Sequence, residues 1–280
     1  MARRISSSQL RSKLRQIESR QRQAVRDLNS AISRYNREAR AHNARVRANR
    51  QRLQTELRKL ARPSSTTVRV SYRTSVRTLH QSFERLELAS EQPGWAVSHD
   101  LFDLTERETA NGVAALNALA DPVADGLVDD PSLRETAITN ELSRLHPNLD
   151  ARWGGALFAL NPRNPDAARH FCSSSREILT SVIDGAASDT EVLNANPNAE
   201  LTQNGSVSRR AKIKHCLQRR HSYASELVDF VEADVDDVIA LFGEFNTGTH
   251  GVAGKFTLDQ LRTLKARVEH AIGFLAQILA

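Results

Sequence analysis

The sequence predicts an all-α protein, a helical bundle with an N-terminal long basic helix or coiled coil. Three observations point there. Residues 7–61 contain no Gly and no Pro, so nothing in them interrupts a helix. Downstream, apolar residues recur in steps of three and four. Strand-like alternation is nearly absent, with Thr67-Val68-Arg69-Val70 the one candidate.

The first element carries Leu10, Leu14, Ile17, Ala24, Leu28, Ile32, Tyr35, Ala39, Val46, Leu53, Leu57 and Leu60 as a seam able to pair with another helix. Two consecutive steps of four, Ala24 to Leu28 to Ile32, locally unwind a supercoil. Asn43, Asn49 and Arg50 weaken its middle. The outer faces are rich in Arg: residues 1–62 hold 18 Lys and Arg against 4 Asp and Glu. The whole chain of 280 residues carries +6, so the remainder is mildly acidic. Such asymmetry fits either a solvated helix surface or an arm that tracks phosphates without reading sequence, since Tyr35 is its one aromatic residue.

Pro63-Ser64-Ser65-Thr66-Thr67 forms a linker, and helical periodicity resumes over 72–90 until Pro93-Gly94. Further helices are expected over 104–120, from Ser132 to Leu145 after an Asp130-Pro131 start, over 150–160, and from Pro165 through Ile183. Residues 185–206 are polar and read as an exposed loop; helices follow over 207–219, 221–242 and 257–279, the last capped by Thr257. Three regions result: a basic coiled-coil arm (1–62), a helical middle (63–144) and a C-terminal helical domain (145–280).

Several functions are excluded or disfavoured. No run approaches the ~20 apolar residues that cross a bilayer, and the start, Met1-Ala2-Arg3-Arg4, lacks a signal-like apolar segment, so a cytoplasmic protein without membrane contact is expected. Cys172 and Cys216 stand alone and read as reduced core residues. P-loop, GxGxxG, GxSxG and HExxH patterns do not occur, and no cofactor or metal is expected. Asp234, Asp236 and Asp237 resemble a Mg²⁺ cluster but read better as a solvated acidic face.

The segment Phe245-Asn246-Thr247-Gly248-Thr249-His250-Gly251 is the strongest functional signal. It sets an Asn, two hydroxyls and a His between two glycines at a helix junction, more than a connector needs. Imidazole as a side-chain type titrates near neutrality, so His250 is the residue best suited to general acid–base work. Upstream, Arg176 offers a phosphate clamp and Glu177 an orienting or proton-accepting group. The bland alternative is a loop tied by Asn246 and His250, beside a structural Arg176–Glu177 ion pair.

Residues from about 145 to 280 resemble the predicted pPIWI-associating nucleases of prokaryotic defence systems. The resembling pieces are His146-Pro147 to Leu160, Asn164-Pro165-Asp166 leading to Ser174-Ser175-Arg176-Glu177, and Phe245 to Gly251 before a final amphipathic helix. The Arg/Glu helix and Asn…His loop are also similar to HEPN-type helical ribonucleases. The resemblance implies a defence-associated nuclease, RNA being favoured over DNA as substrate. Arg176, Glu177, Asn246 and His250 carry the site over, a PIWI-like or other defence protein is the partner, and a homo-oligomer is expected. HEPN enzymes usually carry an Arg with four to six residues between it and the His, whereas here those positions hold Gly243, Glu244 and Phe245. Either Arg176 replaces that Arg from another helix, or the chain is a non-catalytic helical adaptor for nucleic acid or a defence partner.

Overall fold

The computed structural model describes residues 7–61, 70–95, 97–120, 130–146, 148–161, 164, 166–220, 224–247 and 256–279. Among these are ten α-helices and no strand, with one isolated bridge between Leu201 and Val207. The all-α expectation is borne out. Val70, the end of the candidate strand, opens a helix instead; Thr67, Val68 and Arg69 lie outside the described residues.

The chain divides into two units, residues 1–48 and residues 49–280. Helix α1 (Ser7–Leu60) runs 54 residues without a break. Within the first unit its apolar stripe meets solvent: Leu10, Leu14, Ile17, Val25, Leu28, Ile32 and Tyr35 are all exposed.

The second unit opens on the last turns of α1, where Leu53 is buried and Arg50 pairs with Glu87 at 2.7 Å. Helix α2 (Val70–Ser90) buries Tyr72, Val76, Leu79, Phe83 and Leu86, whose alternating steps of four and three form one stripe. That stripe lies along α9 (Ser225–Thr247), while α3 (His99–Ala120) packs on α10 (Leu258–Leu279). Edge-on rings tie three helices together, Phe83 to Phe230 at 6.4 Å and Phe230 to Phe274 at 5.8 Å. Alongside, α5 (Leu149–Ala159) packs on α6 (Ala167–Ala186) through Trp153 and Phe171. Packing thus runs freely across residue 145.

Four expected boundaries shift for identifiable reasons. Helix α3 begins at His99, five residues before its first strongly periodic position, because Ser98 accepts from the Leu101 N–H and caps it. The helix expected from Ser132 to Leu145 divides into a 3-10 turn, Pro131–Leu133, and α4 (Thr139–Leu145). Between them Thr136 donates to Glu269 at 2.7 Å and accepts from the Trp153 indole at 2.9 Å, so tertiary bonds hold this stretch out of helix. The polar stretch 185–206 contains α7 (Asp189–Ala195), closed by a capping box in which Ser188 and Glu191 satisfy each other's backbone N–H. Helix α9 continues to Thr247, so Phe245-Asn246-Thr247 is its last turn rather than a loop. Phe245 explains this: it prolongs the stripe of Leu241 and Phe242, is 2% exposed, and packs on Phe256. The expected cap of α10 is present, Thr257 Oγ1 accepting from Gln260 N–H at 3.2 Å. Among the described residues no helix is long and apolar enough to cross a membrane.

Candidate functional site

On α6, Arg176, Leu179, Thr180, Ile183 and Asp184 fall at i, i+3, i+4, i+7 and i+8, and therefore share a face. That face forms one wall of a pocket of about 200 Å³, with Val235 and Ile239 of α9 opposite. Val207, Arg209 and Lys212, at and before the start of α8 (Arg209–Arg219), close it. Helix α8 begins here because Ser208 accepts from the Ala211 N–H at 3.1 Å.

Three cations line this pocket in different states. The Arg176 guanidinium lies 5.9 Å from the Phe242 ring centroid and has no ion-pair partner among the described residues. A cation over a ring is held by about 0.5–1 kcal/mol at an exposed site, which orients it without neutralising it. Arg209 donates through Nη2 to Asp236 at 2.7 Å. Its Nε is buried and has no acceptor among the described residues. Lys212 is almost wholly buried between Asp184 at 2.7 Å and Asp189 at 2.6 Å. Burial works against its charge, yet the two carboxylates outweigh burial and hold its pKa above the usual lysine value.

Of the four expected site residues, Arg176 lines the pocket. Glu177, about 100° further round the helix, is exposed and accepts from Arg152 Nη2 at 3.0 Å; the same guanidinium donates to Ser181 at 2.9 Å. Arg176 and Glu177 are thus not an ion pair with each other. Asn246 belongs to the last turn of α9, but its side chain lies outside the described residues, as does the whole of His250. Sequence reading gave Lys212 no role and set Arg209 aside as a chance spacing match to His215. The available signal was a serine N-cap followed by cations at i+1 and i+4, on the face that α8 turns inward.

The acidic group on α9 is the clearest correction. Asp236 is exposed as expected, but Asp234 and Asp237 are fully buried. They surround the guanidinium of Arg267, itself buried on α10, which donates to Asp234 at 2.6 Å and to Asp237 at 3.1 and 2.9 Å. Its Nη1 donates to Glu108 of α3, and Asn111 donates to the same carboxylate at 2.9 Å. Helical spacing puts 234 and 237 on the face shared with Val231, Val238 and Leu241, which drags them inward, while 236 points out. The legible signal was on α10, where a cation interrupts the stripe Leu264, Val268, Ala271 and so demands a buried anion. Burial raises Asp234 to about 7 and Asp237 to about 6, with Arg267 opposing. Sealed from solvent, this cluster holds helices together and is closed to a polynucleotide.

Cys172 and Cys216 are free and buried, as expected. Burial pushes the Cys172 thiol up to about 12, so it is inert as a nucleophile.

Neither the curated proteins nor the solved structures contain a match to this chain. Residues 142–275, from the end of α4 through most of α10, match the family model of the predicted pPIWI-associating nucleases, the family that the motifs of this stretch resemble.

Proposed function

We propose that the chain is a nuclease of a prokaryotic defence system that cleaves RNA without a metal ion. In this reading His250 transfers the proton of the attacking 2′-hydroxyl. Arg176 steadies the charged phosphate, and Glu177 and Asn246 orient these groups. The family match supplies the class of activity. The observation that carries the reading is Arg176: inside the matched region, it presents a guanidinium at a pocket, oriented by Phe242 and without an anionic partner among the described residues. A guanidinium in that condition is suited to a phosphate, which it meets with paired N–H donors. The Arg-rich α1 would hold the polynucleotide or pair two copies, and a PIWI-like or other defence protein would be the partner.

The test is purified full-length protein incubated with labelled RNA, single-stranded DNA and duplex DNA, with and without a chelator. Cleavage of RNA that survives chelation and is lost in His250→Ala is expected. Cleavage that requires a divalent cation removes the metal-independent mechanism, and an unchanged rate in His250→Ala removes the assigned catalyst.

A second reading, a helical adaptor that binds nucleic acid without chemistry, draws on the engagement of Glu177 by Arg152 instead of by the pocket. It predicts salt-sensitive binding that deletion of residues 1–62 abolishes, with no cleavage under any metal condition.

A further inference from the structure

The pocket beside Arg176 offers more than one cation. Arg176 stands by Phe242, whereas Arg209 is held by Asp236, six residues back along α9, or about 9 Å at the helical rise. Between these two ends the surface is apolar. Leu179, Ile183, Val207 and Val235 are buried there, and Ile239 is half-buried. Arg209 lines the pocket while its Nη2 donates to Asp236 and its Nε is enclosed. Lys212 is fully matched by Asp184 and Asp189, which leaves that wall without free positive charge.

These features discriminate among ligands. A small bare anion would gain nothing from the apolar floor, and a purely apolar ligand would make no use of the Arg176 guanidinium. The pocket suits a largely apolar body that carries anionic oxygens towards the two guanidinium groups. We propose that it receives one unstacked base of a single-stranded nucleic acid, with the flanking phosphates on Arg176 and Arg209. The substrate class rests on the nuclease reading above; the geometry adds where the strand is held and that it must be single. A base within a duplex would first have to leave its stack, which disfavours double-stranded substrates.

The experiment measures binding of the full chain to fluorescently labelled 2′-O-methyl 12-mers, which lack the hydroxyl nucleophile. One strand carries its bases, a second is abasic at its central positions, and a third is annealed to its complement. Electrostatic binding elsewhere on the protein affects the first two alike, so their ratio reports the pocket. The base-bearing strand is expected to bind about tenfold tighter than the abasic one, and tighter than the duplex. Thr180→Phe, an exposed position on the pocket wall, fills the space and abolishes that preference while leaving the abasic affinity unchanged. Ile239→Phe, from the opposite wall, does the same and guards against a folding defect in the first variant. Arg176→Ala and Arg209→Ala weaken both single strands and each reduce the salt dependence by about one phosphate contact.

Equal affinity for base-bearing and abasic strands, or a preference that survives both filling substitutions, overturns the proposal. A wild-type protein that shows the preference but cuts no nucleic acid retains the pocket and loses the nuclease reading. One that cuts RNA without the preference does the reverse.

Discussion

Arg267 and Asp237 meet in the interior with neither side chain exposed, the guanidinium donating through Nε at 3.1 Å and Nη2 at 2.9 Å to one carboxylate oxygen. The contact joins α10 to α9, and the remaining nitrogens of Arg267 reach Asp234 and Glu108. One cation therefore compensates three buried acids. Removing it strands carboxylates in a low-dielectric interior, a change that typically costs about 3–5 kcal/mol. Arg267→Met is expected to lower stability by that order in urea unfolding. A loss below about 1 kcal/mol would mean that the cluster is not a determinant of the fold.

The same cluster sets a pH dependence. Burial holds Asp234 near 7 and Asp237 near 6, whereas an unfolded Asp titrates near ~4. Between those values the folded state binds more protons than the unfolded one, so the contribution to stability grows as pH falls from about 8 to about 5. Below that range Asp130, held to about 2 by Ser132 and Arg262, and the depressed Asp189 and Glu191 reverse the trend. His270, held down to about 4 by burial, opposes the rise in the same range, so Asp234→Asn should make the change in urea midpoint from pH 8 to pH 5 less favourable than in the wild type. An identical slope in the variant would show that another group is responsible.

Gly112 makes the close approach of α3 possible. A Cβ there would stand 2.9 Å from Leu79 Cδ2 and 3.2 Å from Asp237 Oδ2, against the buried carboxylate that Arg267 holds. Gly112→Ala should therefore destabilise by about 1–3 kcal/mol despite the better helix propensity of Ala. Thermal unfolding checks this, and a stabilised variant would contradict the packing described.

The stripe on α1 predicts self-association. Leu14 and Leu28 are exposed within a helix that carries apolar residues at three- and four-residue steps. If two copies pair along it, Leu14→Ser with Leu28→Ser should shift the mass measured by light scattering from oligomer to monomer. A wild-type protein that is monomeric at micromolar concentration would refute pairing through this helix.

Helix positions were largely legible because they rest on local chemistry: Ser208 and Thr257 as caps, and the stripes of α2 and α10 as buried faces. Where local signals failed, a distant partner had intervened. Thr136 leaves the helix to reach Glu269, and the polar composition around Val192 concealed α7. Arg176 was legible as a cation on a helix that matches a nuclease family, yet its pocket was not, because Arg209 and Val235 come from other elements.

The amino-acid sequence by itself determined the all-α class, the long basic helix, the inert cysteines and Arg176 as a candidate clamp. Each follows from residue type and spacing within a few turns. The tertiary structure alone decided that Asp234 and Asp237 are core residues, that Glu177 faces Arg152, and that Arg209 and Lys212 share a pocket with Arg176. The physical reason is that a charge's fate depends on what surrounds it. The groups around Arg267 come from 30, 33 and 159 residues away along the chain.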